Sequence, residues 1–486
     1  MAAQPDPRPV RLVLGDQLST DFLGAPRARR LLLVEDPTLA TRHPYHARKL
    51  VLVWSAMRHW AEERRAEGWD VDYRIGASLD TVLAEFSDID VVQPREAGIR
   101  PLLARHGVRL LPDPYWLTPP DAFRTWLGKH PAPRMEQYWR DLRKRTGLLM
   151  DGAKPVGGRW NYDDENRKPF PKTHVPLPRP AFPPDALTRS VMDTVRTLPG
   201  LTGTVDGFDL PVTRADALAL LADFVRDRLP LFGPYEDALS SRDAVGYHSL
   251  LSIPLNLSLV SPRECIDAAL AAWTAGHAPI ASVEAFIRQI AGWREYLFHL
   301  WETFPGDWST TNALGHTRPL PAFYWTGDTD LRCLSTAIRN VLATGYGHHI
   351  ERLMVLGNFA LLAGVSPHAV NGWFHAVYAD AYEWVVTPNT VGMSQYADGG
   401  WVARKPYVAS GRYIERMSDY CRDCRYDPGT TCPFTVLYWS FLIDRESDPA
   451  LREPLARNFF GLDRKGAAER AALLEQRARL LPMLAG

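Results

Sequence analysis

The spacing of apolar residues changes character twice along this chain. Up to about residue 115, short apolar runs alternate with helical stretches. The runs are VRLVL at 10–14, LLLVE at 31–35, and two more at 71–75 and 89–93. Between them, residues 46–67 carry Leu50, Val53, Trp54, Met57 and Ala61 on one helical stripe, and residues 79–86 form a shorter helical stretch. Strands alternating with helices predict an open, mostly parallel α/β sheet over residues 1–115. Ligands of such sheets sit beyond the C-terminal ends of the strands. Asp16 and Gln17 directly follow the first run, which makes them pocket candidates. A plain turn with a helix cap accounts for them equally well.

Residues 116–210 lose this alternation. Prolines cluster in LTPPD, KHPAPR and PFPKTHVPLPRPAFPP. Proline fixes φ and interrupts regular elements, so this stretch predicts a long connection between two domains. Inside it, RMEQYWRDLRKR and then Arg159, Trp160 and Tyr162 interleave basic with aromatic residues. Such a mixture can track a phosphate backbone and stack on bases. The competing reading is a solvated helix and a packed loop, because Asp141, Asp163, Asp164 and Glu165 interrupt the patch. From about residue 211 to 486 the period is helical, at 215–228, 262–275, 282–301, 334–342 and 348–363. This half predicts a large all-α domain.

Composition narrows the setting. The 486 residues hold 56 Lys+Arg against 56 Asp+Glu, so nucleic-acid binding requires a local basic face. No stretch of about 18 apolar residues suggests a membrane span, and the N-terminus lacks the apolar core of a signal peptide. Five cysteines are few and odd in number, which suits the reducing cytoplasm. Sixteen tryptophans are many, and bulk composition does not explain them.

The residues richest in chemistry fall within 345–432. Cys421 and Cys424 form C-x-x-C, Cys432 follows, and Cys333 lies upstream. Four thiolates can complete a tetrahedral zinc site or ligate an iron–sulfur cluster, and spacing alone leaves both open, with a redox pair or buried thiols as the plain alternative. Cys265 has no near partner and reads as core. His348 and His349 precede a helix carrying Arg352, which is four residues after His348 and shares its face. Adjacent histidines on a helix are expected to point to different sides. Either can donate a proton to a developing anion, and either can be structural. Asp380 and Glu383 are expected on one helix with Tyr378, Tyr382 and Trp384. An unpaired carboxylate there would be costly, and Arg352 is the obvious partner. Trp325 and Trp373 read as core on composition alone. Phosphate-binding glycine loops and hydrolase motifs are absent, and YHSLLS at 247–252 is a substitute for holding a nucleotide cofactor.

Taken together, VLGDQLS, SAMRHWAEE, RTGLLMDGAKPVGGRWNYDDENRKP, AFIRQIAGWREYL, PAFYWTG, HHIERLMVLGNFALLAG, YADAYEWVVTPNTVGMSQYADGG and KPYVASGRYIERMSDYC resemble, in order, the signatures of one family. It is the iron–sulfur bacterial branch of the photolyase/cryptochrome superfamily, the prokaryotic (6-4) photolyases. The resemblance spans nearly the whole chain. It implies a Rossmann-like antenna domain at 1–115, the connection at 116–210, and an all-α FAD-binding domain with a 4Fe–4S cluster at 211–486, the photolyase/cryptochrome fold. It implies cluster ligands Cys333, Cys421, Cys424 and Cys432, and so iron–sulfur over zinc. Flavin contacts would be His248, Ser249, Ser252, Gln289, Arg352, Asp380 and Asn389. His348 and His349 match the active-site pair, with His349 the expected proton donor. Tyr407 and Tyr413 match residues near the lesion. Trp325 and Trp373 match an electron route from the surface. Asp16 and Gln17 would belong to an antenna site for a chromophore such as 6,7-dimethyl-8-ribityllumazine. Two positions depart from the pattern: Phe374 follows Trp373 where a tyrosine is expected, and Leu39 stands where a lumazine-binding carboxylate is expected.

The activity implied is light-driven repair of (6-4) photoproducts in UV-damaged DNA by a cytoplasmic monomer. Two other classes compete. One is a blue-light receptor of the same fold. The other is a non-catalytic iron–sulfur protein that binds DNA.

Overall fold

The computed structural model describes residues 9–24 and 29–485. Five parallel strands form the N-terminal sheet: β1 Val10–Leu12, β2 Arg30–Glu35, β3 Val71–Ile75, β4 Ile89–Val92 and β5 Arg109–Leu111, in the order β3-β2-β1-β4-β5. Leu31, Leu32 and Leu33 of β2 are 0% exposed, as a sheet covered on both faces demands. The apolar runs foretold four of these strands. β5 escaped because Arg109 and Leu110 are exposed at the sheet edge and leave no apolar run to read. The strand order reverses between β1 and β4, so the crevice beyond that pair lies at residues 15–17 and 93–96.

Helix Ala47–Ala66 buries Leu50, Val51, Trp54, Met57 and Ala61, and packs against helix Ala186–Arg196. That second helix corrects the expectation for 116–210. The stretch holds three helices, Pro120–Lys129, Met135–Thr146 and Ala186–Arg196. The longest run without helix or strand in it is residues 159–185, where prolines are densest. In the basic-aromatic run Tyr138, Trp139 and Arg143 turn inward, while Arg134, Arg140, Lys144 and Arg145 stay exposed. Arg143 is 0% exposed and donates to the carbonyls of Leu148, Leu149 and Trp160. Arg159 pairs with Asp164 and Glu165. The segment is a helix with a solvated basic face followed by a loop packed on itself.

The rest of the chain is helical. Ile280–Ile287 continues through a wide turn at Arg288–Arg294 into Glu295–Thr303, and Pro433–Asp444 packs on Ala467–Ala485. A second core is built on Phe359, Leu361, Phe434, Leu437 and Leu442, all 0% exposed. No helix among the described residues is long and apolar enough to cross a membrane. The two halves are tied by backbone bonds, His46 N–H to the Ala376 carbonyl at 2.8 Å and Leu18 N–H to the Leu257 carbonyl at 3.0 Å.

Candidate active site

Arg352 and Asp380 form the centre of the site. Helix Arg332–Thr344 ends at Gly345, whose φ of +71° reverses the chain. The Gly345 carbonyl then accepts from Ala379 N–H at 2.8 Å, which anchors the turn carrying Asp380. A side chain at Gly347 would meet the Tyr378 ring at 2.9 Å, so only glycine fits there. The Gly347 carbonyl takes Arg352 Nε–H at 2.9 Å, and the two terminal nitrogens of Arg352 meet both oxygens of Asp380 at 3.0 Å each. Ser252 Oγ donates to Asp380 Oδ2 at 2.8 Å, and the Asn256 amide to the Asp380 carbonyl at 2.8 Å. The Arg352 guanidinium stands 3.9 Å from the Tyr378 ring centroid. Asp380 was expected on a helix. It lies instead in the turn between helices Pro367–Val377 and Glu383–Thr387. The turn aims its carboxylate at Arg352, while Glu383 faces the other way, accepting from Ala97 N–H at 2.6 Å.

The histidine pair also differs from expectation. His348 and His349 do not diverge; their rings stack at 4.9 Å and 24°. His248 joins them, its ring 4.2 Å from His348 and 5.0 Å from His349. A nitrogen from each of the three lies within 4.8 Å of the others. His348 caps the helix start, and its Nδ1 accepts from Ile350 N–H at 3.2 Å. Its own N–H donates to Glu351, whose other oxygen takes the Tyr420 hydroxyl at 2.5 Å. His348 is 2% exposed and its Nε2 has no hydrogen-bond partner among the described residues. Burial, and then the neighbouring histidines and Arg352, hold it well below the usual imidazole range, so it is neutral. His349 is open to solvent, and its Nε2 lies 3.3 Å from Asp237 Oδ1.

Behind these groups is a buried acid that sequence reasoning missed. The Glu236 carboxylate takes the Gln289 amide at 2.6 Å and the Asn166 amide at 3.0 Å, and its carbonyl faces His248 Nε2 at 2.9 Å. Burial raises its carboxyl above the ordinary range. Glu236 and Asp237 lie in a loop with no regular spacing, and only the density of polar residues at 234–249 hinted at them. The YHSLLS turn has Leu250 at φ +58°, a conformation that costs about 1–2 kcal/mol for a residue with a side chain. Ser249 Oγ accepts from Leu251 N–H there at 3.3 Å. Asn389 sits in the wide turn after Glu383–Thr387 and gives its amide to the Val385 carbonyl at 2.8 Å.

Trp373 is 1% exposed, and its indole N–H donates to the Tyr324 carbonyl at 2.9 Å. Its ring touches Tyr324 at 5.1 Å, Phe374 at 5.2 Å and Tyr378 at 5.9 Å. Trp325 is not core; it is 38% exposed, on the short turn Ala322–Trp325 beside Tyr324. Tyr407 and Tyr413 are partly buried and pack on the second core. Both also feel the Asp237 charge, which puts them on the histidine side of the site.

Cys333 and Cys432 are buried, and Cys421 and Cys424 partly so. Burial pushes each of three thiols up, Cys421 to about 12 and Cys432 to about 11, and the neighbouring cysteines add to it, which brings all four together. Their sulfurs do not form a group of three within 4.8 Å among the described residues. A single tetrahedral zinc would hold thiolates roughly 3.8 Å apart, from Zn–S bonds of about 2.3 Å. Cys265 is buried in the other core.

Asp16 and Gln17 lie at the sheet crevice as expected, but deep in the joint between the halves. Gln17 gives its amide to the Val92 carbonyl at 3.0 Å. Asp16 is 6% exposed and its Oδ2 has no partner among the described residues. Leu39 packs on the apolar face of the sheet. Lys49, also missed, reaches across the joint to the Ala381 carbonyl at 2.5 Å, and burial lowers its amine to about 8.

Residues 11–210 match the family model described as deoxyribodipyrimidine photo-lyase-related protein. A (6-4) photolyase of Agrobacterium fabrum is 41% identical over 477 residues, covering 92% of this chain and 94% of that protein. The crystal structure of a bacterial class III photolyase from Agrobacterium tumefaciens superposes with a TM-score of 0.53 at 16% identity, over 83% of this chain and 80% of that one. That of an archaeal photolyase from Sulfolobus tokodaii, solved with two FAD molecules, gives 0.54 at 13% identity, over 97% and 100%. These structures share the fold, and the Agrobacterium fabrum sequence carries the kinship: the chain belongs to the photolyase/cryptochrome family, among the (6-4) photolyases.

Proposed function

We propose that this chain is a light-dependent DNA-repair enzyme, a (6-4) photolyase acting in the cytoplasm as a monomer on UV-damaged DNA. One observation carries the reading: a histidine pair, one ring buried and neutral and the other solvent-facing beside a carboxylate, stands next to a guanidinium locked to an acid. That is a proton source adjoining a fixed charge pair, as a repair needing both an electron and a proton requires.

With FAD bound, the chemistry supplied there would be light-driven donation of an electron from the reduced flavin to the damaged pyrimidine pair. The chain's residues fit such a cofactor, since the Tyr378 hydroxyl and His348 Nε2 are buried polar atoms with no partner among the described residues. Arg352, Asp380, His248, Ser249, Ser252, Gln289 and Asn389 would hold it. The Asp380 carboxylate keeps the Arg352 guanidinium in one plane, and Ser252 keeps the carboxylate in place. A damaged pair stacks poorly and leaves the duplex at small cost. His349 then gives it a proton while Asp237 holds the ring and stabilises its charge. His348 orients the pair, and Tyr407 and Tyr413 line the lesion side.

The four cysteines would hold a 4Fe–4S cluster, a reading supported by Cys333, Cys421, Cys424 and Cys432 lying near enough to raise one another's thiols. Trp325 and Trp373 would relay electrons inward through Tyr324, with Tyr378 at the inner end and Phe374 standing aside as a poor relay. The unpartnered Asp16 oxygen supports an antenna chromophore such as ribityllumazine at the crevice, whereas Gln17 is already committed to Val92. Division at about residues 115 and 210 accompanies this reading.

The test is illumination of duplexes carrying a defined (6-4) photoproduct or a cyclobutane dimer. Light-dependent loss of the (6-4) lesion supports the proposal. No repair of either lesion by the flavin-loaded protein overturns it and favours a receptor.

A further inference from the structure

Helix Ala47–Ala66 of the N-terminal half starts from His46, a residue that is 0% exposed and has every polar group engaged. Its N–H donates to the Ala376 carbonyl at 2.8 Å, and its carbonyl accepts from Lys49 N–H at 2.9 Å. Its Nδ1 accepts from Arg48 N–H at 3.1 Å, and its Nε2 lies 2.9 Å from the Leu342 carbonyl. An amide N–H only donates and a carbonyl only accepts, so both ring bonds demand the same form, with the proton on Nε2. The two carbonyls that His46 takes belong to the last turns of two helices, where carbonyls otherwise lack partners. Leu342 lies near the end of Arg332–Thr344, which leads through Gly345 to Arg352. Ala376 lies near the end of Pro367–Val377, which leads through Tyr378 to Asp380. The two limbs meet again where Ala379 N–H donates to the Gly345 carbonyl at 2.8 Å. Three bonds thus close a ring: His46 to Leu342, Ala379 to Gly345, and His46 to Ala376. The Arg352–Asp380 pair is the next rung beyond it. Lys49, on the same helix as the His46 cap, holds the Ala381 carbonyl on the far side of Asp380 at 2.5 Å.

We propose that His46 is a positioning residue of the flavin site, whose ring ties the end of helix Arg332–Thr344 to the end of helix Pro367–Val377 and so sets the approach of Arg352 to Asp380. The N–H bond to Ala376 alone would hold one limb. The Nε2 bond to Leu342 adds the second limb and makes the spacing between them a property of one rigid ring. Leu342 and Ala376 each stand only three residues before the Gly345–Ala379 rung, so a shift at the helix ends passes directly into it. A paired guanidinium and carboxylate tolerate little shift, because two parallel bonds require both oxygens in place. Sites are held to such precision by supporting residues whose own geometry is locked, and His46 is locked by all four of its bonds. Burial lowers its ring to about 4, which keeps it in the neutral form that the Arg48 and Leu342 bonds need. The N-terminal half thereby builds part of the flavin pocket.

The inference rests on the reading of Arg352 and Asp380 as flavin contacts, and its test keeps the two apart. Two substitutions separate the ring's bonds. Asn is a good helix cap and places its oxygen where Nδ1 was, so His46→Asn keeps the Arg48 bond and loses the Leu342 bond. Gln places its amide where Nε2 was, so His46→Gln keeps the Leu342 bond and loses the cap. Val51→Ala, at a 0% exposed position of the same helix, is a destabilised control that touches none of these bonds. Release of flavin from the loaded protein, followed by its fluorescence at fixed temperature, should be roughly tenfold faster in His46→Asn than in the native protein, the effect of losing one such bond. His46→Gln and Val51→Ala should stay within about twofold of native, whatever their thermal midpoints. Hydrogen exchange of the segment 376–382, read by mass spectrometry without added flavin, should quicken in His46→Asn and not in His46→Gln. Flavin release in His46→Asn no faster than in Val51→Ala, equal release in the Asn and Gln variants, or unchanged exchange at 376–382 in His46→Asn would overturn the proposal. If the native protein takes up no flavin, the functional reading fails, and the exchange measurement still decides whether His46 holds the two limbs together.

Discussion

Arg352 and Asp380 share two parallel hydrogen bonds of 3.0 Å across 28 positions of chain. The pair closes the turn at 379–380 onto the helix that begins with the histidines. Replacing Asp380 by Asn keeps an oxygen for Ser252 and Arg352 but removes the counter-charge. Breaking a buried pair from one side costs about 3 kcal/mol or more, and the partial exposure of Arg352 reduces this to about 2 kcal/mol. Asp380→Asn should lower the thermal midpoint and retain several-fold less flavin on purification, measured by absorbance of the released cofactor. Full flavin occupancy in the variant would remove Asp380 from the binding site.

His349 and Asp237 should separate chemistry from binding. His349→Ala removes the solvent-facing ring without touching the Arg352–Asp380 pair. Repair of the (6-4) lesion should drop by about 100-fold or more, with flavin content unchanged. Asp237→Asn should fall between the native protein and His349→Ala, because it loosens the ring and leaves its nitrogen in place. Unchanged repair in His349→Ala would move the proton source elsewhere.

Strand runs and helical stripes made the two-part architecture legible, because a parallel sheet and a large helical core both depend on local apolar spacing. β5 was hidden because an edge strand needs no buried run. Of the candidate site, the pairing of Arg352 with Asp380 and the gathering of the four cysteines were legible in the sequence. The site was illegible where loops do the positioning. Glu236 and Asp237 act through long-range contacts, to Gln289 and His349, that no spacing encodes, and so does Lys49, which reaches Ala381 from a helix. The convergence of His348 and His349 failed to follow from helical geometry because His348 is the cap and not yet part of the helix.

The four-cysteine centre makes a compositional prediction. Cys421→Ser or Cys424→Ser should strip iron and inorganic sulfide from the purified protein, whereas Cys265→Ala, in a different core, should leave both unchanged. About four irons per chain are expected for the cubane cluster, against a single zinc if the alternative holds. Elemental analysis decides between them, and it does so without any assay of repair.

Glu295 gives the protein a pH dependence with a definite sign. It is buried, accepts from Thr118 N–H at 3.1 Å, and its other oxygen has no hydrogen-bond partner among the described residues. Burial pushes its carboxyl from 4.5 up to about 7, with the Arg294 charge opposing the rise. Below pH 4.5 the folded and unfolded chains both hold the proton, and the group's contribution is fully present. Between about 4.5 and 7 the unfolded chain releases it first, so stability declines through that window by up to about 3 kcal/mol. Glu295→Gln keeps the shape and the Thr118 bond and abolishes the titration. Arg294 tolerates the change because its guanidinium lies against Trp116 at 4.3 Å, Trp384 at 5.0 Å and Tyr115 at 5.2 Å. The difference in thermal midpoint between Glu295→Gln and the native protein should therefore rise by a few degrees from pH 5 to pH 8. A flat difference across that range would mean that Glu295 is ionised in the folded state throughout, held by Arg294 more strongly than burial opposes it.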